Sequence, residues 1–106
     1  MPKYLVFASY TAEGIKGVLK DGGTKRRQAA EAALKSVGGK VEAFYFAFGD
    51  QDAAIIIDAP DNASVAAASM AIGASGAVQT KTIVLLTPEE IDQATRKTAS
   101  YQPPGR

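Results

Sequence analysis

The chain of 106 residues contains no cysteine and no histidine. Without cysteine it can form no disulfide, no thiolate nucleophile and no zinc–thiolate site. Without histidine it lacks the commonest general base, the commonest metal ligand and the usual proximal haem ligand. Any acid–base chemistry would therefore depend on Asp, Glu, Tyr, Lys or the terminal amine. We accordingly predict no cofactor and no metal site.

The chain also lacks an excess of charge, because 12 Lys and Arg residues nearly balance 11 Asp and Glu residues. A near-neutral chain argues against a broad surface for nucleic acid or membrane, so neither is expected as a partner. No apolar run approaches the roughly 20 residues of a membrane span. The first residues, MPKYLVFASY, alternate as a strand does and show no cleavable signal pattern, which makes a cytoplasmic location the expectation.

The chain is organised around residues 40–58, KVEAFYFAFGDQDAAIIID, in which two apolar runs flank the turn Gly49–Asp52. This pattern predicts a central β-hairpin. Strict alternation would divide the side chains of its first strand into two sets, one of Val41, Ala43, Tyr45 and Ala47 and the other of Glu42, Phe44, Phe46 and Phe48. Because both sets are largely apolar, we expect both faces of the strand to be covered.

The remaining segments alternate between strand and helix patterns. Strands are predicted at Lys3–Tyr10 and Val78–Leu86, and a long alanine-rich helix at Asn62–Ala74. Between the first strand and the hairpin, one short helix should begin at Thr11 and a stronger one at Thr24. Gly14 and Gly17 weaken the short helix, and Gly38-Gly39 should end the stronger one. Thr87-Pro88-Glu89-Glu90 is a capping box that starts a final helix to about Lys97.

The order is β-α-β-β-α-β with a C-terminal helix, which predicts an α+β, ferredoxin-like domain over residues 1–97 and a flexible tail over 98–106. The right-handed crossover rule places both main helices on one face of the sheet. The other face would then expose large apolar side chains, more than a monomer usually shows. We expect a homodimer or higher oligomer through this face; the alternative is that the C-terminal helix folds over it.

Four segments carry a resemblance to a known family: PKYLVFASYTAEGIKGVLKDGGTKRR, EAFYFAFGDQD, ASGAVQTKT and LLTPEE. Together they resemble the GYD-domain family, small bacterial and archaeal proteins grouped with the dimeric α/β-barrel proteins. The resemblance covers the chain to about Lys97 and implies that fold. The family signature is Gly-x-Tyr-Asp; Gly49 and Asp52 match it, and Gln51 stands where the tyrosine is expected. The family has no established activity, and related families include monooxygenases, isomerases and ligand-sensing domains.

Two clusters of charge are candidates for ligand binding, each beside a structural alternative. Asp50 and Asp52 could hold a cation or act as a base, although aspartate is also favoured in turns for backbone reasons. Arg26 and Arg27, in the run that opens the second helix, could clamp a carboxylate or phosphate. They could equally be a solvated first helical turn.

Hydroxyl groups form a third candidate set. Tyr4, Tyr10 and Tyr45 have the same parity in their strands and could line one face together, with Thr80 adding a hydroxyl. Amphipathic packing is the structural alternative.

Three functional hypotheses follow. The protein could be a binding or sensing module for a small anionic or aromatic molecule, a cofactor-independent isomerase or monooxygenase on a small organic substrate, or a structural and assembly protein. A cavity of roughly 300 Å³ or more between sheet and helices would favour the first two, and a strongly shifted carboxylate or lysine in it would favour the enzyme.

Overall fold

The computed structural model describes all 106 residues of the chain. Its elements are β1 (Lys3–Tyr10), α1 (Ala12–Asp21), α2 (Gly23–Ser36), β2 (Lys40–Phe46), β3 (Ala53–Asp58), α3 (Asn62–Ala74), β4 (Val78–Leu85) and α4 (Pro88–Thr95). The strands form one antiparallel sheet in the order β2-β3-β1-β4. This α+β architecture is consistent with the predicted ferredoxin-like arrangement. None of the four helices combines the length and apolar character that crossing a membrane requires.

Side-chain caps fix where three of the helices begin. The hydroxyl of Thr11 accepts a hydrogen bond from the amide of Gly14 at the start of α1, and the carboxylate of Asp61 caps α3. Thr87 starts α4 with the complete capping box that the sequence predicts, because both its side chain and that of Glu90 are engaged. These caps satisfy backbone N–H groups that a helix leaves unpaired at its start.

The prediction that Thr24 caps the second helix is wrong. That helix, α2, begins at Gly23, and Gly22 occupies its N-cap position without a side-chain hydrogen bond. Gly22 has a φ of +82°, and its amide donates to the carbonyl of Val18 to close α1. Since glycine adopts this left-handed conformation at no steric cost, α1 can end and α2 begin at the same residue.

Gly14 is required by a close approach of two backbones. A Cβ atom on Gly14 would clash with the carbonyl oxygen of Ala77 in the loop before β4. The same carbonyl accepts from the amide of Thr11 at 3.0 Å, and the Thr11 hydroxyl donates to the carbonyl of Gly76 at 2.9 Å. The start of α1 is therefore docked on the loop between α3 and β4.

One face of the sheet carries the core, beneath α2 and α3. Residues directly opposite each other on neighbouring strands point to the same face, so Tyr4 of β1 lies with Ile57 of β3, and Val6 lies with Ile55. The phenol of Tyr4 is buried, and its hydroxyl donates to the side-chain oxygen of Asn62 at 2.6 Å. The core residues are Tyr4, Val6, Ala8, Leu34, Ala53, Ile55, Ile57, Ala59, Val65 and Val78.

A β-bulge in β2 overturns the predicted alternation of that strand. Val41 pairs with Ile57, but Ala43 pairs with Ile56, because the register shifts between the two. The extra residue reverses the faces that follow it. Val41, Phe44 and Phe46 therefore face the helices, whereas Ala43 and Tyr45 face the open side.

The C-terminal helix leaves the open face of the sheet uncovered, so the alternative in which α4 folds over that face is wrong. Every residue from Leu86 to Gln102 is exposed. The radius of gyration is 16.8 Å, whereas a compact domain of 100 residues has about 13 Å. Residues 86–106, hereafter the C-terminal arm, project from the body of the domain.

Candidate functional site

A cavity of about 310 Å³ lies between the helix-facing side of the sheet and helices α2 and α3. Of its 18 lining residues, 14 are hydrophobic. The sheet contributes Val6, Ala8, Phe44, Ile55, Ile57, Val78 and Thr80, and the helices contribute Arg26, Ala29, Ala30, Leu34, Val65, Ala68, Ser69 and Ile72, with Tyr10, Ser75 and Ala77 at the edges. This volume lies at the lower end of the range of small-molecule pockets.

Small side chains on the two helices explain why the cavity is unfilled. Ala29 and Ala30 of α2 and Ala68 of α3 stand where larger residues would reach the sheet. Alanine favours the helix but occupies little of the space between the two layers. Protein interiors otherwise contain few voids larger than a water molecule. The cavity is therefore a direct result of the alanine-rich sequences of α2 and α3.

Four polar residues line the cavity: Arg26, Ser69, Ser75 and Thr80. Arg26 is the only charged one, and its guanidinium lies over the ring of Tyr10, with Cζ 5.9 Å from the ring centroid. The hydroxyl of Ser75 donates to the carbonyl of Ile72 at 2.6 Å. No Asp, Glu or Lys side chain lines the cavity.

Arg26 and its neighbour Arg27 have different surroundings. The Nε atom of Arg26 is buried and has no hydrogen-bond partner, and Arg26 forms no ion pair. Arg27 is exposed, with its Nε atom 3.7 Å from the Oε1 atom of Glu31 one helical turn later. The helical period explains the difference, because Arg26 lies on the same face as the cavity residues Ala30 and Leu34.

The structure brings together only some of the sequence-predicted site residues. Tyr10, Arg26 and Thr80 line one cavity. Arg27 is outside the cavity and paired, and Tyr45 is 71% exposed on the opposite face of the sheet. The prediction that Tyr45 shares a face with Tyr4 and Tyr10 is wrong, because the bulge in β2 reverses its orientation.

The two aspartates of the hairpin turn lie away from the cavity. The Oδ2 atom of Asp52 accepts from the amide of Tyr10 at 2.8 Å, and Asp50 is exposed. Gln51, at the place of the family tyrosine, accepts from the hydroxyl of Ser9 at 2.9 Å through its Oε1 atom. These contacts attach the turn to the end of β1, which supports the structural interpretation of Asp52.

A second apolar depression, of about 370 Å³, lies between α1 and the hairpin turn. It is more open than the cavity, and Tyr10 and Asp52 lie at its edge with Phe46 and Phe48. Tyr10 lines both the cavity and this depression.

Ser69 of α3 also lines the cavity and was not predicted from the sequence. Its position four residues after Val65 and three residues before Ile72 places it on the inward face of α3. This helical spacing could have identified it from the sequence.

Two side chains outside the cavity have shifted pKa values. Hydrogen bonds from Lys3 to Glu42, at 2.6 Å, and to Asp58, at 2.9 Å, raise the pKa of the lysine. The hydroxyl and the amide of Ser64 donate to Asp61 and lower the pKa of that carboxyl. Both shifts have structural causes, at one end of the sheet and at the start of α3.

Comparison with known proteins gives one match. A family model described as GYD domain matches residues 4–95, from β1 to the end of α4. Neither a search of curated proteins nor a search of solved structures gave a match. The matched range includes all four strands, the cavity and the hairpin turn. The chain belongs to the GYD-domain family.

Proposed function

We propose that this protein binds a small molecule with an apolar body in the cavity between the sheet and helices α2 and α3. The supporting observation is the cavity itself, about 310 Å³ in volume and lined largely by hydrophobic residues. At about 30 Å³ per water-sized group, it accommodates on the order of ten such groups. Apolar pockets with a few polar groups are typical of small-molecule sites.

Binding or sensing fits this cavity better than the two alternative functions. A cofactor-independent enzyme needs a group that takes up a proton, and no carboxylate or lysine lines the cavity. The remaining groups, the phenol of Tyr10 and the hydroxyls of Ser69 and Thr80, serve more readily to orient a ligand. A purely structural role predicts a filled interior, which the alanines of α2 and α3 do not provide.

The proposal includes a homodimer in which two copies cover each other's open sheet face. Apolar residues occupy the middle of that face: Leu5, Phe7, Ala43, Tyr45, Ala54, Ile56 and Ile83. Polar groups flank them, with Lys3, Glu42 and Asp58 in an ion-paired cluster at one end and Ser9 bonded to Gln51 at the other. An apolar centre inside a polar rim is the usual composition of a protein interface.

A thermal-shift screen of small aromatic and aliphatic compounds, acids and neutral molecules alike, tests the binding proposal. A ligand that binds only the folded state raises the melting temperature. The variant Ala30→Leu fills the cavity and should abolish the shift. The variant Ala32→Leu, on the exposed side of the same helix, is the matched control and should retain it. If no compound stabilises the wild type, or if both variants respond equally, the cavity is not the site.

A further inference from the structure

We propose that the molecule bound in this cavity is a monocarboxylic acid, whose carboxylate pairs with Arg26 and whose aromatic or aliphatic body fills the apolar part. The inference rests on the proposed binding function and deepens it. It depends on a separate observation, the state of the Arg26 side chain, whereas the binding function depends on the volume of the cavity.

The first argument is the missing partner of Arg26. Its Nε atom is buried and unpaired, and no carboxylate of the chain reaches it. Buried polar atoms are otherwise hydrogen-bonded, since an unsatisfied one costs the desolvation of that group. No Asp or Glu lines the cavity to supply the partner. An anion from outside the chain would therefore complete the arrangement.

The second argument is the way the guanidinium is held. The ring of Tyr10 lies against one side of it at 5.9 Å from Cζ. A planar guanidinium held by a ring keeps its N–H edge available, and this edge matches the two oxygens of a carboxylate. Arg26 also lies in the first turn of α2, where the helix dipole favours a nearby negative charge.

The third argument concerns the charge of the ligand. Arg26 is the only charged residue among the 18 that line the cavity. A dicarboxylate or a phosphate dianion would retain an uncompensated charge beside apolar walls, which is costly. A single carboxylate is balanced by a single guanidinium. The hydrophobic majority of the lining then accommodates the rest of the molecule.

Isothermal titration calorimetry on the full chain provides the test, with benzoate and octanoate as acidic probes and benzamide and octanamide as neutral ones. The wild type should bind each acid more tightly than its amide. Arg26→Met should weaken binding of the acids by about tenfold to a hundredfold and leave the amides unchanged. Arg27→Met, which removes the adjacent exposed arginine, should change neither. Arg26→Lys keeps the positive charge but lacks the planar guanidinium that forms two parallel hydrogen bonds with a carboxylate. It should therefore weaken binding of the acids by less than Arg26→Met does. It also serves as the test if the methionine variant does not fold.

Several results would overturn the proposal. Equal affinity of acids and amides in the wild type, or acid binding that is unchanged in both Arg26 variants, would show that Arg26 does not hold an anion. Tighter binding of phenyl phosphate than of benzoate would overturn the choice of a carboxylate. In these cases the cavity still binds a small molecule and only this inference fails. Absence of binding by every probe would also overturn this inference, and if no compound of the thermal-shift screen stabilises the wild type either, the binding function fails as well.

Discussion

The guanidinium of Arg26 lies over the ring of Tyr10, with Cζ 5.9 Å from the ring centroid, on the wall of an otherwise apolar cavity. The pair joins the last residue of β1 to the first turn of α2. The amide of Tyr10 in turn donates to the carboxylate of Asp52. The hairpin turn is thus connected to the candidate site through one residue, although neither aspartate of the turn enters the cavity.

Arg26 should destabilise the folded protein in the absence of ligand. An unpaired buried group destabilises the fold by about 1–3 kcal/mol, whereas a cation–π contact stabilises it by about 0.5–1 kcal/mol. Arg26→Met is therefore expected to keep or raise the melting temperature in the absence of ligand, by a few degrees if the net gain is about 1 kcal/mol. Arg27→Met should leave it unchanged or slightly lower. Calorimetric unfolding checks this; a clear loss of stability in Arg26→Met alone would assign Arg26 a structural role.

Two glycines of α1 should respond to alanine in opposite directions. Gly14→Ala places a Cβ against the carbonyl oxygen of Ala77, so it should destabilise the domain. Gly17 has open space around it, and Gly17→Ala should stabilise the protein by roughly 0.5–1 kcal/mol through helix propensity. Urea unfolding of both variants measures the difference. Equal effects of the two substitutions would mean that α1 is not docked on the loop before β4.

Light scattering after size exclusion tests the proposed dimer. At micromolar concentration the wild type should have about twice the 11.0 kDa mass of one chain. Tyr45→Arg and Ile83→Arg place a charge on the open face, where two-fold symmetry repeats it in both copies, and should yield monomers. Met70→Arg substitutes an exposed apolar residue of α3 instead and should leave the mass unchanged. A monomeric wild type would contradict the dimer.

The Asp61 cap of α3 should contribute less to the stability of the folded protein in acid. Hydrogen bonds from Ser64 lower the pKa of Asp61 in the folded chain. A carboxyl with a lowered folded pKa contributes stability above its unfolded pKa and loses it as the pH falls through the folded value. Asp61→Asn keeps a capping oxygen but cannot titrate. The difference in melting temperature between wild type and variant should therefore shrink as the pH falls below 3.8, the ordinary pKa of an aspartate carboxyl. A difference that does not vary with pH would exclude this linkage.

Periodicity and capping residues were sufficient to predict most of the fold. The bounds of β1 and α3 agree with the predictions, and the capping box at Thr87 starts α4 as expected. The bulge in β2 was not predictable. Because both faces of this strand are largely apolar, the hydrophobic pattern of the sequence is the same with and without one inserted residue. That one residue determines on which side of the sheet Tyr45 lies.

The candidate site was predicted in part. Tyr10, Arg26 and Thr80 were named from the sequence and do line one cavity. The distinction between Arg26 and Arg27 depends on the rotation of α2 about its axis, which packing on the sheet determines. The volume of the cavity depends on the alanines of α2 and α3, which the sequence shows, and also on the spacing between the helices and the sheet, which no local pattern encodes.

The most direct test of a ligand site in this cavity is a titration of the protein with benzoate, monitored by the methyl NMR signals of isoleucine and leucine. Leu34, Ile55 and Ile72 line the cavity, whereas Leu19 on α1 and Ile91 on the C-terminal arm lie outside it. Binding in the cavity predicts saturable shifts of the first three signals and none of the other two. Absence of shifts for Leu34, Ile55 and Ile72, or shifts confined to Leu19 and Ile91, would contradict it.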